Sequence, residues 1–325
     1  MILTTLLACV LASPPQDMVS QARLMGHLRA LPEHRAPAPT PEHIRGLMQT
    51  EAWLRITLED MGYTVHEQRI VSFEPPEGVE VEDPTWHNFW VEIPGSTLPD
   101  EVVIVGAHFD AVPTSPGADD NGTGTSAALE LARVFKGRSP ARTIRVCFFN
   151  LEEIGLVGSR FHANNIVKPA IDAGEQTVVG MLSLEMLGYF SDEEGSQRSP
   201  IPAIPGVYEP PTKADFLAIV GLSGDRQLTK PLADAMQAGA PDLNLFLFDM
   251  LPSPTPDMRR SDQDPFWQIG VPAVMVTDTS EFRTPNYHQM SDRVETIDVD
   301  RFTMSVRAIA AGVWGIANED ESSPD

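Results

Sequence analysis

Imidazole and carboxylate groups recur at the ends of apolar runs in this 325-residue sequence. His108 and Asp110 close the run 102–107, and Asp119 and Asp120 open a helical pattern that starts at Thr123. Glu152 and Glu153 follow the run 143–149, Glu185 follows 178–184, and His288 stands in Asn286-Tyr287-His288-Gln289 beyond the last such run. Oxygen and imidazole donors suit zinc, manganese or cobalt, and four-coordinate His/carboxylate sites favour zinc. A pair of ions about 3.5–4 Å apart needs a bridging carboxylate, which this set can supply. Each residue also has a structural reading. A strand-end histidine can be a satisfied polar group, and Asp119-Asp120-Asn121-Gly122 can cap a helix through the free N–H groups of its first turn. Glu152-Glu153 can be an exposed turn and Glu185 a surface carboxylate. Repetition favours the metal: buried-grade strands end in acidic groups three times, and adjacent carboxylates repel unless a cation lies between them.

The elements that must carry these groups follow from periodicity. The run 102–107 reads as a fully buried strand, and its period of two points His108 and Asp110 the same way. A turn-rich loop with Pro113, Pro116 and Gly117 leads to a helix with Ala127, Ala128, Leu131 and Val134 at three- and four-residue steps. Helical patterns also cover 16–31, 42–61, 155–164, 226–238 and 298–316. Strand patterns cover 64–73, 87–93, 143–149, 178–184, 216–220, 245–248 and 273–276. Strands alternating with helices predict an α/β fold: a mixed, mostly parallel sheet of about eight strands with helices on both faces, the first pair antiparallel. Ligands in such sheets gather at the carboxyl ends of the strands. The polar, proline-rich stretch 192–213 reads as a long surface loop and a candidate lid.

Composition narrows the field. A formal net charge of −23 disfavours nucleic acid and anionic membrane surfaces as partners. Cys9 and Cys147 are the only cysteines, and Cys147 lies within an apolar strand, so neither a disulfide framework nor a Cys-based zinc site is available. Residues 1–14 read as an export signal, short and without a basic start, in which Leu6-Leu7-Ala8-Cys9 resembles a lipoprotein cleavage box. The expectation is an exported protein, periplasmic, secreted or lipid-anchored at Cys9, with no membrane span and residues 15–325 forming one domain. Oligomeric state is not encoded in any of these patterns.

The motifs H-x-D at 108–110, G-A-D-D-N-G-T-G, N-L-E-E-I-G-L-x-G-S, S-L-E-M-L-G-Y and Y-H-Q-x-S-D, in that order, resemble the M28 family of zinc aminopeptidases, which is related to the glutaminyl cyclases. They span His108 to Asp292. The resemblance implies two zinc ions per chain, with Asp120 bridging both. It implies His108 and Glu185 on the first ion and Glu153 and His288 on the second. It further implies Glu152 as general base, Asp110 as the group that orients His108, and a cis peptide between Asp120 and Asn121. Two positions depart from the family pattern: Glu185 stands where many members have Asp, and Ser261-Asp262-Gln263 stands where Ser-Asp-His is expected.

The implied activity is hydrolysis of the N-terminal peptide bond of peptides with a free N-terminus, through a metal-bridged hydroxide. Glu152 or Glu185 could meet the substrate's α-amine, and Tyr189, Phe190, Trp267, Phe282 and Tyr287 are candidates for a side-chain pocket or for core packing. Alternatives on the same scaffold are a one-zinc glutaminyl cyclase, a related dizinc carboxypeptidase or dipeptidase, and a metal-free binding domain. The last requires lost ligands, and all five metal positions here hold competent residues.

Overall fold

The computed structural model describes residues 13–38, 40–73, 81 and 84–318. The suggested export signal falls almost wholly outside these residues, as does Cys9. Among the described residues the chain builds an eight-stranded sheet in the order β1-β2-β4-β3-β5-β8-β6-β7. The strands are β1 (His66–Arg69), β2 (His87–Ile93), β3 (Leu98–His108), β4 (Arg142–Phe149), β5 (Thr177–Glu185), β6 (Phe216–Val220), β7 (Asn244–Phe248) and β8 (Ala273–Thr277). β4, β3, β5 and β8 run parallel, and β1 and β2 join antiparallel at one edge.

Alternation on the strands sorts two cores. Val103, Val105 and Ala107 of β3 face one side with Ile144, Val146 and Phe148 of β4. That side is covered by α1 (Gln21–Ala30), α2 (Pro41–Asp60), α3 (Gly124–Phe135), α6 (Arg226–Gly239) and α8 (Val299–Asn318). Val102 and Ile104 point the other way with Cys147 and Phe149. They pack on the helical stretch α4 (Val157–His162) to α5 (Lys168–Asp172), joined by a wide turn, and on α7 (Asp264–Gln268). Helices on both faces explain why these strands read as continuous apolar runs.

The mixed α/β sheet matches the expectation, and several details depart from it. β6 lies antiparallel to β8, a direction that a five-residue apolar run does not encode. The helix expected over 16–31 is split: Pro15–Met18 form a short 3-10 turn, Val19 is extended, and Ser20 caps α1 by accepting the Arg23 N–H. The strand expected over 64–73 is only four residues long, because its partner β2 starts at His87, opposite Arg69. Among the described residues, no helix is long and apolar enough to cross a membrane.

Candidate metal centre

β3 and β4 end level with one another, His108 pairing with Phe149, and Glu185 pairs with Thr277 at the end of β8. The carboxyl edge of the sheet therefore gathers His108, the turn after β4 and Glu185 in one place. Between β3 and α3 a wide turn, Ala118–Thr123, presents Asp119 and Asp120, with a cis peptide between Asp120 and Asn121. Asn121 secures that turn: its amide donates to Leu184 O at 2.7 Å, and its Oδ1 accepts from the N–H groups of Gly124 and Met186. His288 arrives from the loop after β8 with a left-handed φ of 57°. Leu151, just before Glu152, and Met186, just after Glu185, also have positive φ, conformations that non-glycine residues adopt at a cost of about 1–3 kcal/mol.

These side chains form two donor groups that share one residue. His108, Asp120 and Glu185 can each offer a ligand atom within 4.8 Å of the others, and so can Asp120, Glu153 and His288. His108 Nε2 lies 3.5 Å from Asp120 Oδ1 and 3.4 Å from Glu185 Oε2. His288 Nε2 lies 3.1 Å from Asp120 Oδ2 and 3.3 Å from Glu153 Oε2. One carboxylate thus turns one oxygen to each imidazole. Glu152 belongs to neither group; its Oε2 is 3.9 Å from His108 Nε2, and it lines the adjoining cavity.

The surroundings fix this arrangement. Asp110, fully buried, accepts the backbone N–H of Glu152 at 3.0 Å and of Glu153 at 3.2 Å. Its Oδ1 is 3.5 Å from His108 Nδ1, while its own carbonyl is closer to that nitrogen at 3.2 Å. A proton on Nδ1 would leave Nε2 free to ligate, and Asp110 contacts both the imidazole and the turn carrying the two glutamates. Asp292 accepts the N–H groups of Asp119 and Asp120, and Ser261 Oγ donates to Glu185 Oε2 at 2.6 Å. Gln263 donates to Met258 O, and the buried Asp262 lies close enough to His108 and Glu185 to feel their charges. Tyr287 stacks on His288 with ring centroids 3.8 Å apart, and its hydroxyl accepts from Arg260 at 2.8 Å.

The electrostatics of the cluster suit a bound cation. Burial pushes the Glu153 carboxyl up to about 7, with Asp120 adding to the rise. Burial also raises Glu152; His108 opposes this, and Glu185 and Glu153 reinforce it. Burial disfavours the His288 imidazolium, yet Asp120 and Glu153 carry its pKa up to about 10. Glu153 Oε1 has no hydrogen-bond partner among the described residues. Several anions packed at this distance are mutually destabilising, and bound cations of high charge remove the penalty. The donor set, oxygen and imidazole only, fits zinc.

Beside the glutamates opens a cavity of about 140 Å³. Phe216, Ala218 and Val220 of β6 and Phe246 and Phe248 of β7 line it, with Ile201 and Tyr208 from the 192–213 loop. Of the five aromatic residues considered for a pocket, Phe282 and Tyr287 line this cavity. Tyr189, Phe190 and Trp267 are not among its lining residues, and Trp267 packs against the core.

Two residues ahead of the motifs were not signalled by sequence. Arg35 is buried beside the loop after β3. Glu51 of α2 is buried against the turn after β4: its Oε1 accepts from Asn150 Nδ2 and from the His87 N–H, both at 2.8 Å. Glu51→Ala strands these donors and should cost about 2–4 kcal/mol of stability. Urea unfolding measures it, and a change below about 0.5 kcal/mol, the range of neutral surface substitutions, would show that Glu51 bears no such load.

The profile of peptidase family M28 matches residues 88–313. The chain is 30% identical over 221 residues to the uncharacterized protein YfbL of Escherichia coli, covering 64% of this chain and 65% of that one. It is 41% identical over 88 residues to aminopeptidase YwaD of Bacillus subtilis, covering 27% of this chain and 18% of YwaD. The chain thus spans less than two thirds of the length of both relatives. Among solved structures, LapA aminopeptidase of Legionella pneumophila superposes with a TM-score of 0.69 at 19% identity, over 94% of this chain and 74% of LapA. BSAP, a zinc aminopeptidase from Bacillus subtilis, superposes at 0.56 with 25% identity, over 74% of this chain and 52% of BSAP. A glutaminyl cyclase of Fimbriiglobus ruber superposes at 0.62 with 16% identity, over 91% of this chain and 95% of the cyclase. The profile covers well over half of the chain and takes in all the donor residues, and this chain belongs to peptidase family M28.

Proposed function

We propose that this protein is a zinc-dependent aminopeptidase that removes the N-terminal residue of peptides. The observation that carries the reading is the pair of donor groups sharing Asp120, with Glu152 left outside both and facing an apolar cavity. His108, Asp120 and Glu185 would hold one zinc ion, and Asp120, Glu153 and His288 a second. Zinc held there supplies Lewis acidity, polarising a carbonyl and making water acidic near pH 7. Glu152 accepts the proton of the attacking water as its oxygen bonds to the scissile carbonyl carbon. The same carboxyl then delivers that proton to the leaving nitrogen as the C–N bond breaks. Asp110, through its bonds to both glutamate N–H groups, holds Glu152 in place. The carboxylates at the cavity mouth, Glu152 and Glu185 among them, favour a substrate's α-ammonium, and the cavity beyond takes its first side chain. The 192–213 loop, which contributes Ile201 and Tyr208 to the cavity wall, would act as a lid over this side chain.

A panel of aminoacyl chromogenic substrates, with and without a chelator, tests the reading. Bulky apolar residues such as Leu, Met and Phe are expected to lead charged ones by at least about tenfold in kcat/KM, the scale of hydrophobic pocket discrimination. Chelator should stop all turnover, zinc should restore it, and N-acetylation of the substrate should suppress it. Hydrolysis that is indifferent to chelator or to acetylation contradicts the proposal. A peptide beginning with Gln separates the cyclase alternative: an aminopeptidase frees glutamine, whereas a cyclase releases ammonia and leaves the chain intact.

A further inference from the structure

Arg35 lies before residue 88, where the family match begins, in the proline-rich link between α1 and α2. The residue is 2% exposed, and among the described residues its side chain makes no hydrogen bond or ion pair with a carboxylate. All its bonds go instead to main-chain carbonyls. Nε donates to Phe109 O at 2.8 Å, Nη1 to Pro116 O at 2.5 Å and Pro32 O at 3.0 Å, and Nη2 to Gly117 O. In return, the Arg35 carbonyl accepts the Ala111 N–H at 3.0 Å.

These acceptors have a common meaning. Phe109 follows His108 directly, and Gly117 opens the turn that carries Asp120. The segment 109–117 leaves β3 and returns to the centre with no regular structure of its own. A planar guanidinium with five donors in a fixed fork can tie both ends of such a segment; an ammonium cannot match that geometry. The fit is close. Gly117 has φ +64°, and a Cβ there would lie 2.7 Å from Arg35 Nη2 and 2.4 Å from Asp120 O. Burial holds the Arg35 guanidinium below its usual pKa, and the charges of Asp292, Asp110, Asp120 and Glu153 act against that effect. A buried cation without an ion-pair partner is costly unless surrounding anions offset it.

We infer that Arg35 is a positioning residue of the hydrolytic centre: by gripping both ends of the loop 109–117 it sets the distance between His108 and Asp120, and so the first zinc site. The inference rests on the proposed zinc aminopeptidase reading. Arg35→Lys keeps the charge and removes the fork; Arg35→Met removes both. Arg142→Lys serves as control, a buried arginine at the opposite end of the sheet that donates to Ile316 O and Glu101. Each variant is assayed for thermal midpoint, for kcat and KM on an aminoacyl anilide, and for zinc retained after dialysis against a graded chelator. Cobalt substituted into the metal-free protein gives a visible spectrum that reports coordination.

Arg35→Lys is expected to fold, to lose kcat by about thirtyfold or more with KM within about threefold, to release one zinc at roughly tenfold lower chelator, and to alter the cobalt spectrum. Arg35→Met should show the same losses, larger. Arg142→Lys should lower the thermal midpoint without moving kcat, zinc retention or the spectrum. The inference is overturned if folded Arg35→Lys keeps wild-type kcat and zinc retention, or if Arg142→Lys loses as much. Failure of both Arg35 variants to fold also overturns it, because the side chain then serves the whole fold. If the wild type neither binds zinc nor cleaves aminoacyl substrates, the functional reading itself is what has failed.

Discussion

Glu152→Gln should abolish measurable peptide hydrolysis while leaving zinc and fold intact. The amide matches the carboxylate in size but cannot accept the proton that leaves the attacking water. General acid–base help of this kind contributes about 10²–10⁴-fold, and the loss should fall in kcat. Zinc should stay because Glu152 belongs to neither donor group. Losing one anion beside Glu185 and Glu153 also removes repulsion, so the thermal midpoint should hold or rise. Elemental analysis after gel filtration, with kcat measured on the best anilide of the panel, decides. Activity within tenfold of wild type would remove Glu152 from the role of base.

The other large effect belongs to the shared ligand. Asp120→Ala takes one donor from each group at once, whereas His108→Ala or His288→Ala takes a donor from only one. Asp120 is also the carboxylate that both imidazoles hold below the usual acid range, against the effect of burial. Without it, His108 and His288 lose their common anion and each group keeps two ligands. The expected result is a protein with less than one zinc per chain and no detectable turnover. His288→Ala should retain more metal than Asp120→Ala. Two zinc ions per chain in purified Asp120→Ala would mean that the carboxylate does not bridge.

Most of the donor set could be read from sequence for a simple reason. His108 and Glu185 end strands, and Glu152 and Glu153 sit within four residues of one, so an apolar run in a parallel sheet specifies where they go. Asp120 and His288 stand on loops, which no periodicity places; residue type marks both as candidate ligands, but only the motifs separate Asp120 from Asp119 and assign the two their roles. Arg35 and Glu51 escaped altogether. Each is a charged residue in a stretch whose local pattern suggests surface, and its burial depends on chain more than 60 residues away: Phe109 and Pro116 for Arg35, Asn150 for Glu51. The reversed direction of β6 is hidden similarly, since five apolar residues pair as well either way. The pocket aromatics were half legible: proximity to a motif identified Phe282 and Tyr287, but Phe246 and Phe248 come from a strand with no motif near it.

That last division has an outcome for how such an enzyme can change. The groups that would break the bond come from β3, the turn after β4, the end of β5 and the His288 loop. Much of the wall that would choose among substrates comes from β6, β7 and the 192–213 excursion. Tools and taste are thus inherited largely on different stretches of chain, meeting at Phe282 and Tyr287. If the proposed activity holds, a graft confined to the excursion should alter which peptides are favoured and leave the groups that break the bond where they are.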